Sequence, residues 1–203
     1  MSEDHYFSQE PGSALKPKSI IIPVAGEMVQ VTSASGTFSP TQLDFGTEVL
    51  IDQMELAPES GDLLDLGCGW GPIALNLAKL RPNAKVWAVD VNTRSVELTA
   101  KNAKDLGLSN ITAVVPEQVP ENLVFSGIWS NPPIRIGKKE LHELLLQWLP
   151  RLAVGAEAYL VVQKNLGSDS LQKWLTQELA GNYEVSRFTS IKTYRVIKVK
   201  KNS

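Results

Sequence analysis

The stretch Asp62-Leu63-Leu64-Asp65-Leu66-Gly67-Cys68-Gly69-Trp70-Gly71-Pro72 decides how this chain folds. Residues 62–66 are an apolar run of strand length, and a glycine turn follows that opens a helix at Pro72. Proline suits a first helical turn, where its missing N–H has no partner to lose. A glycine turn at the carboxyl end of the first strand is where an open α/β sheet holds its ligand. Glycine permits both the sharp turn and a close approach of backbone to a nucleoside.

The spacing narrows the ligand. A dinucleotide loop reads Gly-x-Gly-x-x-Gly, whereas this one reads Asp65-x-Gly67-x-Gly69-x-Gly71. That difference argues against a nicotinamide-dependent oxidoreductase. A carboxylate just ahead of the turn repels a pyrophosphate and suits a ligand with a cationic amino-acid end. A second acid, Asp90, ends the next strand, from where it can accept both ribose hydroxyls of an adenosine. Val91 and Asn92 lie on the same edge. Cys68 belongs to the turn, and with no histidine near it in sequence it reads as an inert thiol.

Outward from this stretch, strands and helices alternate. Strands are predicted at 85–91, 111–115, 126–130 and 156–163, and helices at 72–80, 93–106, 138–149 and 168–179. Two final runs, 183–189 and 193–200, are strands with no helix between them and must form a hairpin or set one strand antiparallel. The pattern predicts an α/β fold: a mostly parallel sheet with helices on both faces and an antiparallel C-terminal hairpin. Upstream, 19–23 and 28–32 flank Ala25-Gly26-Glu27 as a small hairpin, and a short helix begins near Gly46 and ends before Pro58. Residues 1–18 carry little apolar periodicity and read as a mobile arm, leaving 19–203 as the folded unit.

The strand ending at Ser130 runs into Asn131-Pro132-Pro133-Ile134. Two prolines stiffen the loop and remove its N–H donors, so acceptors dominate. A planar amine has two hydrogens to place, and the Asn131 side-chain oxygen and the Pro132 carbonyl can take one each. Such bonds favour the positive charge that develops on an attacking nitrogen.

These residues together resemble the seven-stranded, Rossmann-like class I methyltransferases that act on amino groups, with S-adenosylmethionine (SAM) as cofactor. Gly36-Thr37-Phe38-Ser39 and Asp44-Phe45-Gly46-Thr47 narrow the resemblance to the small-domain family that includes small-subunit ribosomal RNA guanine-N2 methyltransferase C. The resemblance implies that Asp65, Gly67, Cys68, Gly69 and Gly71 surround SAM. Asp90, with Val91 and Asn92, would hold its ribose. Phe38 and Thr47 belong to the segment that folds over the cofactor. Glu117 stands nearest to where relatives carry an acid for the adenine amine. Asn131 and Pro132, with Pro133 and Ile134 beside them, would hold the target amine. The implied substrate is a guanine amine in RNA, most naturally ribosomal RNA or the small ribosomal subunit. The alternatives are a protein glutamine methyltransferase and a non-catalytic module of the same fold that binds RNA.

Composition bounds the rest. A net charge of −2 argues against nonspecific coating of nucleic acid. No apolar run approaches the length of a membrane span, and the polar N-terminus is not a signal peptide. The single cysteine cannot form an internal disulfide, which fits the cytoplasm. No cluster has metal-ligand spacing. Arg187, Lys192, Arg195, Lys198, Lys200 and Lys201 read as a lysine-protected edge strand or, alternatively, an RNA patch. Arg135, Lys138 and Lys139, and the strand end Gln163-Lys164-Asn165, fall near the proposed site. His142 reads as a half-buried structural residue.

Overall fold

The chain first folds back on itself as a hairpin. In the computed structural model, which describes Ala14 and residues 16–203, β1 (Pro17–Val24) pairs antiparallel with β2 (Glu27–Ala34). The expected mobile arm falls almost wholly outside the described residues. Ala25 and Gly26 have φ of 49° and 82°, the left-handed pair that a tight hairpin turn needs. The inner face, Ile22, Val24 and Val31, joins Trp70, Leu75 and Leu98 in one cluster. Two buried asparagines dock the hairpin's backbone: Ala25 N donates to Asn76 Oδ1 and Thr32 N to Asn102 Oδ1, each at 2.8 Å.

The remaining elements run α1 (Phe45–Ile51), β3 (Ser60–Leu66), α2 (Pro72–Leu80), β4 (Asn83–Val89), α3 (Thr93–Asp105), β5 (Ile111–Val114), β6 (Phe125–Ser130), α4 (Lys138–Trp148), β7 (Leu152–Gln163), α5 (Ser168–Glu178), β8 (Tyr183–Ile191) and β9 (Tyr194–Lys201). Seven strands make one sheet in the order β5-β4-β3-β6-β7-β9-β8. The pairs through β7 are parallel, and β9 is antiparallel to both of its neighbours. The mostly parallel sheet with an antiparallel C-terminal hairpin expected from the alternation is the one observed, and it is the Rossmann-like architecture that the resemblance implied.

The sheet is covered on both faces. Along β7, Tyr159 and Val161 join a core with α1 and α2, while Ala158, Leu160 and Val162 join a second core with α4 and α5. That alternation is the period of two inherent in a strand. Trp87, Trp129 and Trp148 are core residues. His142 is half-buried and stacks on Trp174 at 3.4 Å between ring centroids, so it is a packing residue.

One expectation is corrected. Arg195, Lys198, Lys200 and Lys201 do not protect a sheet edge, because β9 lies inside the sheet and β8 forms the edge. Several of these cations are used within the protein. Arg187 and Arg195 pair with Asp169, Lys198 pairs with Glu157, and Lys201 Nζ donates to the carbonyls of Pro150 and Leu152. The hairpin insertion decides this, and it is a property of strand order that charge spacing does not encode. Among the described residues no helix is long and apolar enough to cross a membrane.

Candidate active site

Strand order reverses at β3. The chain steps outward from β3 through β4 to β5, then returns to β6 on the other side of β3. The crevice at such a reversal is where ligands bind in open α/β sheets. Loops leaving β3, β4 and β6 place Gly67, Asp90 and Asn131 on one cleft of about 500 Å³. A narrower recess shares Gly67 and Asn131 with it and adds Thr47, Cys68 and Gly69.

The glycine turn is held from beneath. Gly67 N and Cys68 N both donate to the Val89 carbonyl, at 2.8 and 3.1 Å. Gly69 N donates to Asp90 Oδ2 at 2.9 Å. Gly67, Gly69 and Gly71 have φ of 78°, 57° and 102°, which a side chain would strain. A Cβ on Gly71 would also lie 2.9 Å from Thr99 Oγ1, whereas a Cβ on Gly67 or Gly69 would meet no atom within 4 Å. The first two glycines thus leave open space, and the third allows α2 and α3 to approach.

Asp65 lies behind the turn and is fully buried. Its Oδ2 accepts from Ala74 N at 2.9 Å. Ala74 is in the first turn of α2, so the carboxylate caps a helix whose N-cap residue, Gly71, has no side chain to do so. Asp65 Oδ1 is buried without a hydrogen-bond partner among the described residues. Burial pushes the Asp65 carboxyl well above the usual range; the Ala74 amide opposes this and the nearby Asp90 charge adds to it. Burial also raises Asp90, against the lowering bonds from the Asn92 and Gly69 amides. The Cys68 thiol is buried and is pushed up by that burial and by both acids, which disfavours the reactive thiolate.

The loop after β2 covers this pocket. Trp70 Nε1 donates to the carbonyls of Phe38 and Ser39, at 3.0 and 3.3 Å. Asn92 Nδ2 donates to Gly36 O at 2.8 Å, while its Oδ1 caps α3 by accepting from Arg94 N.

The Asn131 amide is oriented by its neighbours. Asn131 Nδ2 donates to Asp44 Oδ2 at 2.9 Å and to Thr47 Oγ1 at 3.0 Å. A carboxylate only accepts, so the NH₂ end must face Asp44. Asn131 Oδ1 then points away with no bond to a described residue. Asp44 is the N-cap of α1, and the same Oδ2 accepts from Thr47 N at 3.0 Å. Pro132 O accepts from Ile134 N at 2.8 Å around Pro133 (φ −74°, ψ 77°), an inverse γ-turn. One lone pair of that carbonyl stays free.

The structure brings together most residues singled out from the sequence. Phe38, Gly67, Asp90, Val91, Asn131, Pro132, Pro133 and Ile134 line the cleft. Thr47, Cys68 and Gly69 line the recess, with Thr47 turned to Asn131. Asp65 and Gly71 support the turn from behind. Asn92 has its side chain occupied as a cap and loop tie, because it sits at the start of α3. Glu117 is exposed on a 3-10 turn, and its neighbour Pro116 lines the cleft instead. Trp70 and Tyr194 were given no role by sequence reasoning, and Asp44 entered it only as part of the segment over the cofactor, without its bond to Asn131. For Asp44 a signal existed: an aspartate three residues before Thr47, ahead of an apolar helix, is an N-cap pattern.

The methyltransferase small domain model matches residues 28–198. The chain belongs to that family. This methyltransferase is 36% identical to uncharacterized protein YbxB of Bacillus subtilis over 99% of the chain and 100% of that protein. It is 31% identical to Ribosomal RNA small subunit methyltransferase C of Shewanella sediminis over 73% of the chain and 44% of that protein. The chain thus spans about half or less of the length of the methyltransferase C relatives it matches. Its fold is that of the T. thermophilus 16S rRNA N2 G1207 methyltransferase in complex with AdoMet and guanosine, with a TM-score of 0.75 and 24% identity over 95% of this chain and 52% of that one.

The cofactor of this methyltransferase is SAM. Its residues fit that group. Gly67 and Gly69 face open space, Asp90 is an acceptor on the cleft wall, and Asp65 keeps an idle buried oxygen beneath the turn.

Proposed function

We propose that this methyltransferase modifies the exocyclic N2 amine of a guanine in RNA, with small-subunit ribosomal RNA as substrate. One observation carries the reading. Asp44 and Thr47 take both N–H bonds of the Asn131 amide and leave its oxygen unpartnered on the cleft. SAM supplies an electrophilic methyl group on a sulfonium sulfur. Asn131 Oδ1 and the free lone pair of Pro132 O each accept one hydrogen of the amine, which turns the nitrogen lone pair outward and stabilises the charge it gains. Ile134 supplies an apolar surface beside the base. Displacement at a methyl group requires mainly proximity and alignment, and the proton leaves the methylated amine to solvent, so no strong base is needed.

The relatives named methyltransferase C support an RNA substrate of this kind, which the protein would meet in the cytoplasm. Residues 19–203 are read as the methyltransferase unit, preceded by an arm. The test is transfer of labelled methyl from SAM to ribosomal subunits and total tRNA taken from cells lacking this protein, with Asn131→Ala beside the wild type. Label recovered as N2-methylguanosine in ribosomal RNA, and lost in the variant, is expected. Label in protein as methylglutamine would overturn the reading in favour of a glutamine acceptor.

A further inference from the structure

We infer that Gln163 reads the N1–H and O6 edge of the guanine, an inference that rests on the guanine reading above. It starts from register. Ser130 pairs with Leu160 across the parallel pair β6 and β7, so Asn131 continues opposite Val161. Gln163 is two residues further along β7, on the same face as Val161, and both line the cleft with Asn131. Two strand residues advance by roughly 6–7 Å, the scale of a purine ring edge plus a hydrogen bond.

Gln163 stands among Ile134, Leu144, Val161 and Leu166. It is half-buried, and its side-chain amide has no hydrogen-bond partner among the described residues. A half-buried polar group in an apolar wall is satisfied by what the cleft holds. The edge of guanine reads N2–H₂, N1–H, O6. With N2 held by Asn131 and Pro132, the next two groups are a donor and an acceptor. One amide matches them: Gln163 Oε1 accepts from N1–H and Nε2 donates to O6. Adenine has no N2 amine for Asn131 and Pro132 to hold, while 2-aminopurine keeps that amine but presents an acceptor at N1 and no polar group in place of O6, so the amide can make only one bond to it. Planar, paired contacts of this kind are how amide side chains discriminate bases.

The test uses equilibrium binding, so that it does not depend on methyl transfer. Full-length protein saturated with S-adenosylhomocysteine is titrated with guanosine and with 2-aminopurine riboside, which keeps the N2 amine but lacks N1–H and O6. Gln163→Met keeps the length of the side chain and removes both polar atoms; Gln163→Ala is the second variant, and thermal melting establishes that each is folded. Wild type is expected to bind guanosine about tenfold more tightly than 2-aminopurine riboside. In both variants the ratio falls to about twofold or less, through weaker guanosine binding. If the variants keep the wild-type ratio, Gln163 does not read the base, and the guanine reading stands. If wild type binds both nucleosides equally, N1–H and O6 go unread, this inference fails and the guanine reading stands; if it binds neither, the guanine reading fails and takes this inference with it.

Discussion

Asp44 Oδ2 lies 2.9 Å from Asn131 Nδ2 and 3.0 Å from Thr47 N, so one carboxylate oxygen both caps α1 and sets the direction of the Asn131 amide on the cleft. Asp44→Ala removes both bonds. The lost cap costs about 0.5–2 kcal/mol of stability, read as a lower melting temperature. Freed to rotate, Asn131 presents its oxygen to the cleft only part of the time. Steady-state kinetics are expected to show kcat lowered about ten- to a hundredfold, with a much smaller change in KM for SAM. Asp44→Asn keeps an acceptor oxygen and should recover most of the loss. Equal losses in the two variants would show that the charge of Asp44 matters rather than its geometry.

Asp65 links stability to pH in an unusual direction. Burial raises its folded-state pKa well above 3.8. An acid whose folded pKa is raised contributes stability that is present below the unfolded pKa and lost as pH rises through the folded one. Asp65→Asn, which keeps an acceptor for Ala74 N, should therefore raise the melting temperature of the ligand-free protein at neutral pH while weakening SAM. A cation beside the carboxylate would favour its charged form. Calorimetric titration of S-adenosylhomocysteine in buffers of different ionisation enthalpy should show proton release that Asp65→Asn abolishes. A binding enthalpy independent of buffer would refute this.

Gly71→Ala combines two penalties. Its φ of 102° is a region that side chains rarely adopt, and the new Cβ would lie 2.9 Å from Thr99 Oγ1. The expected loss is about 1–3 kcal/mol in denaturant unfolding. Adding Thr99→Ala removes the contact and leaves the backbone strain, so the double variant should recover only part of the loss. Full recovery would mean that the backbone carries no strain there.

Trp70→Phe keeps an aromatic ring in the buried site and removes the donor to Phe38 O and Ser39 O. The expected stability change is about 1 kcal/mol. The loop it holds borders the cofactor cleft, so KM for SAM should rise by roughly three- to tenfold with kcat little altered. An unchanged KM would separate this loop from cofactor binding.

Much of the site was legible because its signals are local. The glycine turn, its preceding acid and the Asn-Pro-Pro run are contiguous stretches whose backbone demands are written in single residues. For Asn92 and Glu117 the local signal stops short: proximity in sequence to Asp90 and Pro116 does not say which way a side chain turns. Asn92 faces α3 and Gly36, and Glu117 faces solvent, because a helix start and a 3-10 turn direct them so.

By itself the sequence determined the alternation of strands and helices, the crevice after the first strand and the chemistry of its acceptors, because hydrophobic period, glycine and proline act through the backbone nearby. Tertiary structure alone decided that Asp44 meets Asn131 across 87 positions, that Gln163 and Tyr194 end side by side on the cleft, and that the basic C-terminal strand lies inside the sheet. Those relations depend on strand order and register. These are set by how whole faces bury against one another, and no short stretch of residues encodes them.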